Sequence, residues 1–445
     1  MSAASWIAAP GAPLRGEVRV PGDKSVSHRA IMLAALADGT SRIDGFLEGE
    51  DARATEAIFR RLGVAIEAPG AGVRIVHGVG IDGLRAAEGP LDCGNAGTGM
   101  RLIAGLLAGQ AFDSMLVGDA SLSRRPMGRV TEPLARMGAR IDTGEGGVPP
   151  LRVHGGAPLT GIEFDNALAS AQVKSCLLLA GLYADGETVV HEARPTRDYT
   201  ERMLAAFGWP IEYSPGIARL RGGHRLRATD VRVPADFSSA AFFLVAASIV
   251  PGSDLVLRRV GMNPRRTGLL HVLRGMGADI VESAPGHEGG EPVADLRVRH
   301  APLRGIDVPE AHVPDMIDEF PALFVAAACA EGVTRVRGAA ELRVKESDRI
   351  AVMAGGLKAI GCRIEETPDG ACIGGTPAGV GGGAVDSHGD HRIAMAFAVA
   401  GQRSSSAITI EDTANVATSF PGFVDLARHA GLQIGESRRA GPPET

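Results

Sequence analysis

The sequence predicts a mixed α/β protein (α+β) built from six similar units, grouped three and three into two lobes. Three observations carry this. Six times a helix-like stretch ends in glycine followed by a short strand: at Gly63, Gly138, Gly208, Gly277, Gly361 and Gly431, spaced 75, 70, 69, 84 and 70 residues apart. Ahead of each glycine, by roughly 20 residues or more, stands an apolar helix, a short turn and an alternating strand. The tetrapeptide Val18-Arg19-Val20-Pro21 returns as Val231-Arg232-Val233-Pro234, which is 213 residues, or three periods of 71, further on.

Each element has its own signal. Glycine just past a helix takes up the left-handed conformation that a Cβ makes costly. The apolar helices with their following strands read as 30–37 then 41–43, 174–183 then 188–190, and 393–400 then 407–410. A strand precedes each apolar helix, so one unit reads βαβαββ. A period of about 70 residues exceeds that of small solenoid repeats, and each unit is expected to be a small subdomain. The matched tetrapeptides mark the crossings between lobes. One lobe is then residues 1–21 plus 234–445, holding repeats four to six; the other is 22–233, holding repeats one to three. The tail from Ser437, rich in Arg, Pro and Gly, is expected to fray.

Composition narrows the function. The chain has 445 residues, 45% of them apolar, which supplies large cores and argues against disorder. Aromatic residues make up 4%, too few for a protein that stacks single-stranded nucleic acid. A net charge of −6 offers no general polyanion surface, although a local basic cleft remains compatible with it. Five scattered cysteines without CxxC spacing predict neither a disulfide framework nor a zinc site, and fit a reducing compartment. The start of the chain lacks a signal-peptide pattern, and the longest apolar run, 240–250, is too short to span a bilayer. The expectation is a soluble cytoplasmic protein without membrane or nucleic-acid partners.

The polar residues that stand out fall where helices begin. Gly22-Asp23-Lys24-Ser25-Val26-Ser27-His28-Arg29, Gly94-Asn95-Ala96-Gly97-Thr98-Gly99-Met100-Arg101, Ser170-Ala171-Gln172-Val173-Lys174, Asp236-Phe237-Ser238-Ser239, Asp315-Met316-Ile317-Asp318-Glu319 and His388-Gly389-Asp390-His391-Arg392 precede the apolar helices. Arg124-Arg125-Pro126, Arg197-Asp198, Arg265-Arg266 and Lys345-Glu346-Ser347-Asp348-Arg349 open others. Capping explains Ser170, Asp236 and Asp51. It does not explain Lys or Arg at so many starts, because a helix N-terminus already carries partial positive charge. An anionic ligand is the expected compensation, since free N–H donors and a basic side chain together form an anion site.

These segments resemble the 5-enolpyruvylshikimate-3-phosphate synthases (3-phosphoshikimate 1-carboxyvinyltransferases) from Val18 to Phe423. The resemblance rests on Pro21–Arg29, Gly94–Thr98, Arg125-Pro126-Met127, Ser170–Ser175, Leu342–Arg349 and Asp390–Met395, six motifs in order. It implies two lobes of three βαβαββ units with the active site in the interlobe cleft. It implies the substrates shikimate 3-phosphate and phosphoenolpyruvate, no metal, no organic cofactor, and a monomer. In the implied reaction the enol is protonated at C3, the 5-hydroxyl attacks C2, and a tetrahedral intermediate loses phosphate.

Residue by residue, the resemblance makes Lys24 shared by both substrates and able to shuttle a proton. It places Ser25, Arg29, Ser170, Ala171, Gln172, Arg197 and Lys345 on shikimate 3-phosphate. Gly97, Arg125, Arg349 and Arg392 fall on phosphoenolpyruvate, with Gln172 reaching it too. Asp318 becomes the base for the 5-hydroxyl and Glu346 a proton-transfer carboxylate. From the residues alone, Asp315, Asp318 and Glu319 are equal rivals for the base. Lys345 and Glu346, read as neighbours on a helix, would face different ligands. The herbicide glyphosate is expected in the phosphoenolpyruvate pocket beside Gly97. His388-Gly389-Asp390-His391 has a tolerable metal-ligand pattern, but the adjoining Arg392 would repel a cation. Cys93 is read as a small buried residue.

The chain departs from many relatives at Thr418-Ser419-Phe420-Pro421, where a lysine is missing before Ser419, at Tyr199, and after Arg101, where no proline follows. These departures point toward the divergent bacterial class. The sister UDP-N-acetylglucosamine enolpyruvyl transferases would want a cysteine in 121–126, and none is there.

Overall fold

The computed structural model describes residues 4–167 and 169–437. The tail beyond Ser437 lies outside the described residues. Ser437 itself does not fray: it ends the strand Ile434–Ser437 and pairs with Ser5.

By its contacts the chain divides into two compact units, with crossings after Pro21 and after Pro234. The first holds the residues up to Pro21, Ala235–Gly286 and those from Pro292 on; the second holds Gly22–Pro234 with His287–Glu291. The helices of the second unit are α1 (Lys24–Leu36), α2 (Glu50–Arg61), α3 (Gly97–Ala108), α4 (Gly128–Arg136), α5 (Ala171–Gly181) and α6 (Tyr199–Ala206). Those of the first are α7 (Phe237–Ile249), α8 (Gly268–Gly275), α9 (Phe320–Ala328), α10 (Arg349–Ala359), α11 (His391–Gly401) and α12 (Phe423–Ala430). All six predicted helix-ending glycines have positive φ, from 78° at Gly208 to 107° at Gly431.

Among the described residues each unit contains three small sheets. The third repeat gives the plain form: Glu163–Asp165, Glu187–His191, Ile217–Arg221 and Ile211–Ser214 lie side by side in that order. The first pair is parallel and the rest antiparallel. The second repeat has the same order. In the fifth the leading strand is reduced to isolated bridges at Arg304 and Asp307.

Two features differ from a simple repeat. The strand before α1, Arg15–Val18, pairs with Asp254–Gly261, which follows α7. The strand before α7, Val231–Arg232, pairs with Ala37–Asp44, which follows α1. The matched tetrapeptides thus sit on strands that trade sheets, Val18 ending one and Val231 beginning the other. The second feature is Ser5–Ala8, which sequence reading missed. It inserts between Ile408–Glu411 and Ile434–Ser437 and completes the last sheet.

The odd-numbered helices are the apolar ones. In the first unit α7, α9 and α11 pack on one another, and every residue of all three is buried. In the second, α3 packs on both α1 and α5. A helix apolar on all sides suits only such an interior position. Around each trio a separate hydrophobic core closes.

Ser5–Ala8 brings Trp6 into the first core, 6% exposed and stacked on Phe423 at 5.4 Å between ring centroids. Phe423 in turn meets Phe242, Phe243 and Phe420. Trp6→Ala is expected to destabilise this unit by roughly 3–5 kcal/mol through the cavity it leaves. Differential scanning calorimetry would register a lowered transition for the first unit; an unchanged thermogram would show that the strand contributes nothing there.

Candidate active site

In the second unit the starts of α1, α3, α5 and α6 come together. Asp23 caps α1, its Oδ1 accepting from the Val26 amide at 2.9 Å, while Oδ2 accepts from the Tyr199 hydroxyl at 2.9 Å. Lys24 follows as the first helical residue. Its Nζ lies 2.8 Å from Asp51, and its side chain keeps 20% exposure. Asp51 therefore does not cap: Gly49 is the N-cap of α2, and the carboxylate of Asp51 holds Lys24 instead. Ser25 is half-buried. Arg29, one turn on, is buried, and it donates to Thr200 at 2.7 Å, to Ser175 at 2.8 Å and to the Ser25 carbonyl at 2.9 Å. Burial pulls its guanidinium down to about 10, with Glu201 the leading opposing influence.

His28 is fully buried, with Nδ1 2.8 Å from the Thr55 hydroxyl. Burial, with Lys24 and Arg29 adding repulsion, pushes its pKa down to about 3, so the ring is neutral. A Cβ on Gly99 would meet Thr55 and His28, so α3 begins directly against this pair.

Gly97 opens α3. A Cβ there would come within 3.1 Å of Arg125 Nη1 and 3.5 Å of Arg101 Nη1. Arg125 donates to Asn95 Oδ1 at 2.7 Å and to the Ser121 hydroxyl at 3.2 Å. It stands in the turn between the 3-10 segment Leu122–Arg124 and α4, not in a first helical turn as the sequence suggested. Gln172 joins these groups to α5: its Oε1 accepts from Arg101 at 2.6 Å and its amide nitrogen donates to Thr98 at 2.9 Å.

Ser170 caps α5, accepting from the Val173 amide at 3.5 Å, and Ala171 is the first helical residue. The Asn166 amide ties the Ser170 carbonyl to Glu192, at 3.0 Å each. Behind them Lys174 is buried between Glu192 and Glu201, at 2.8 Å from both. Burial opposes its charge, yet the two glutamates hold its pKa above the ordinary lysine value. Arg197, half-buried, directly precedes Asp198, the N-cap of α6.

The first unit gathers the starts of α7, α9, α10 and α11. Asp318 lies just before α9, with Arg266 Nη1 at 3.3 Å and Arg349 Nη1 at 3.5 Å. Arg349 also donates to Asp390 at 2.8 Å and to Glu346 at 2.6 Å. Burial disfavours its charge, but Asp390, Glu346 and Asp318 together raise its pKa above the usual arginine value. Asp390 caps α11 through the Arg392 amide at 2.9 Å, so its carboxylate is committed to Arg349 and this cap rather than to a metal. Lys345 and Glu346 are not on a helix. They occupy the turn between the 3-10 segment Ala340–Val344 and α10, with Lys345 extended. Burial lowers the Lys345 pKa, opposed first by Asp318.

The three rival carboxylates separate here. The Glu319 side chain is fully buried, bonded to the Ser238 hydroxyl and 3.3 Å from Arg266. Asp318 keeps 15% exposure and Asp315 10%, the latter beside Arg265 at 3.3 Å.

The family model for EPSP synthase (3-phosphoshikimate 1-carboxyvinyltransferase) matches residues 8–426. The chain belongs to the EPSP synthase family. A relative from Xanthomonas campestris pv. campestris (strain B100), a 3-phosphoshikimate 1-carboxyvinyltransferase, is 70% identical over 430 residues, covering 96% of this chain and 98% of its own. One from Xanthomonas oryzae pv. oryzae (strain PXO99A), of the same name, is 70% identical over 429 residues, 96% of this chain and 97% of its own. A solved EPSP synthase from Acinetobacter baumannii superposes with a TM-score of 0.89 at 53% identity, over 98% of this chain and all of that one. The enolpyruvyl transferase NikO from Streptomyces tendae gives 0.79 at 19% identity, covering 98% and 99%, which speaks to the fold alone.

Sequence reading left out of the candidate set Arg101, which meets Gln172, and Arg266, which meets Asp318. Arg266 had a visible signal, a basic pair at a helix start. Arg101 had only its place at the end of the Gly94–Arg101 motif.

The neutral His28 makes stability pH-dependent. Its folded pKa of about 3 lies below the ordinary 6.5, so the unfolded chain takes up the proton first. The stabilisation is fully present above pH 6.5 and is lost toward pH 3, at roughly 1.4 kcal/mol per unit. Thermal melts from pH 7 to 4 should show this slope in the second unit and a shallower one in His28→Gln; equal slopes would assign the acid lability elsewhere.

Proposed function

We propose that this chain transfers the enolpyruvyl group of phosphoenolpyruvate to the 5-hydroxyl of shikimate 3-phosphate, giving 5-enolpyruvylshikimate 3-phosphate and phosphate. The reaction is a step of the shikimate pathway to chorismate and aromatic amino acids. The observation that carries this reading is 70% identity over 430 residues to a 3-phosphoshikimate 1-carboxyvinyltransferase. The geometry agrees in kind. The two substrates bring two phosphates and two carboxylates, and both units present cations at helix starts, several of them braced by internal carboxylates.

The chemistry is charge placement with proton transfer. Asp318 takes the 5-hydroxyl proton as that oxygen attacks C2, and C3 gains a proton. Loss of a C3 proton with departure of phosphate re-forms the C2–C3 double bond, now as an enol ether. Glu346, held by Arg349, and Lys24, held by Asp51, carry these protons. Arg125, Arg349, Arg392 and Gln172 hold phosphoenolpyruvate against Gly97. Ser25, Arg29, Ser170, Ala171, Gln172, Arg197 and Lys345 hold shikimate 3-phosphate. The complete burial of Glu319 supports Asp318 over it as the base. The enzyme works as a cytoplasmic monomer without metal or organic cofactor.

Phosphate release from the two substrates tests the reaction directly; its absence with correctly folded protein would overturn it. Asp318→Asn should retain shikimate 3-phosphate binding by calorimetry and lose about 10²–10⁴-fold in turnover. Equal losses of binding and rate would make Asp318 a ligand-holding group instead.

Gly97 sets the length of the phosphoenolpyruvate pocket. An alanine methyl would press on Arg125 at 3.1 Å, and overpacking of this kind costs about 1–3 kcal/mol. We expect glyphosate to compete with phosphoenolpyruvate, and Gly97→Ala to raise its inhibition constant more than the KM for phosphoenolpyruvate. A wild type insensitive at millimolar glyphosate would refute this.

A further inference from the structure

Asp318 and Glu319 are adjacent carboxylates, and a single guanidinium serves both. Arg266 is buried, with its side chain 6% exposed. Its Nη1 faces Asp318 at 3.3 Å. Its Nη2 lies 3.3 Å from Glu319 and 3.8 Å from Asp236, the N-cap of α7, and donates to the Ser238 hydroxyl. Ser238 also bonds Glu319, so Arg266 is anchored to the start of α7 and to a fully buried carboxylate.

The other charges around Asp318 are committed differently. Arg349, at 3.5 Å, is closer to Glu346 and Asp390 than to Asp318. Arg392 lies 3.9 Å from Glu319. Lys345 is within electrostatic reach of Asp318 and has Glu341 at 3.7 Å. Asp315 faces Arg265 at 3.3 Å. Arg266 is closer to Asp318 than Arg349 is, and it stands between that carboxylate and the buried negative charge of Glu319. A neighbouring cation favours the ionised carboxylate, whereas an unshielded carboxylate neighbour disfavours it.

We propose that Arg266 is a positioning residue that keeps Asp318 ionised and aimed, and that Glu319 tempers this effect by sharing the guanidinium. The inference rests on Asp318 being the base. Removing the cation raises the pH at which Asp318 becomes competent. Removing the competing carboxylate leaves more of the guanidinium to Asp318 and lowers that pH.

The test is the pH profile of kcat at saturating substrates, taken for wild type, Arg266→Gln, Glu319→Gln and the double variant. Arg266→Gln should move the acid limb up by about one pH unit, so activity falls about tenfold below the limb and much less above it. Glu319→Gln should move the limb down, and the double variant should fall between the two singles. Arg266→Gln leaves Glu319 buried with the Ser238 hydroxyl and the more distant Arg392; if it fails to fold, Glu319→Gln and the double variant still decide the matter. A limb that coincides with wild type in every folded variant, with activity reduced equally at all pH values, overturns the inference and makes the pair merely structural. A limb that moves up in Glu319→Gln overturns it too. Asp318→Asn separates this from the reading on which it rests: if that variant keeps its turnover, the assignment of the base fails; if it loses turnover while the limb is unmoved by the other variants, only the role of Arg266 and Glu319 fails.

Discussion

Helices that are apolar on every side can be buried only if their ends find polar company. That constraint organises both units of this chain. The interiors of α7, α9 and α11 leave no exposed flank, so polar groups concentrate at their starts. The first amides of such a helix have no partner within it. Asp23, Ser170, Asp236 and Asp390 supply one each through a side-chain cap. The remaining donors and the partial positive charge stay available for anions. The packing that builds the cores therefore also places the chemistry.

Cations at positive helix ends need a second stabilising influence, and this protein supplies it from within. Lys24 has Asp51, Lys174 has Glu192 and Glu201, and Arg349 has Asp390 and Glu346. Each cation is held in position by a carboxylate that a ligand need not replace. Such pairs are poor evidence for net stability, because desolvation offsets much of the attraction. Breaking one strands a buried charge, however, and that makes the arrangement rigid. A preorganised positive surface gives up less ordering entropy when an anion arrives.

The repeat was legible because it rests on local rules. A glycine that must be left-handed and a helix that must be apolar leave marks within a few residues, and Gly63 through Gly431 followed them. The exchange of Arg15–Val18 and Val231–Arg232 between sheets left no such mark. Short strands carry too little side-chain pattern to specify a partner, and pairing is decided by which edge the fold leaves open. The same holds for Ser5–Ala8, four residues whose partners lie at the far end of the chain. At the site, charged residues were visible and their pairings were not. Asp51 looked like a cap and proved to be the partner of Lys24. Lys345 and Glu346 looked helical because a helix begins three residues later, yet the turn before it gives them their geometry.

The insertion of the second unit between Pro21 and Ala235 has a consequence for synthesis. Apart from a five-residue piece at His287–Glu291, the second unit is one continuous stretch that can condense soon after it leaves the ribosome. The first unit cannot. Ala8 pairs with Ile408, 400 residues away, and Val18 with Leu257. Ser5–Ala8 thus waits with open backbone edges until residues 408–437 are translated, and Arg15–Val18 until residues 254–257 are. Contacts this distant in sequence are slow to close, and an unpaired strand edge invites association with other chains. Ser5–Ala8 is therefore a segment that a nascent copy of this protein needs to shield.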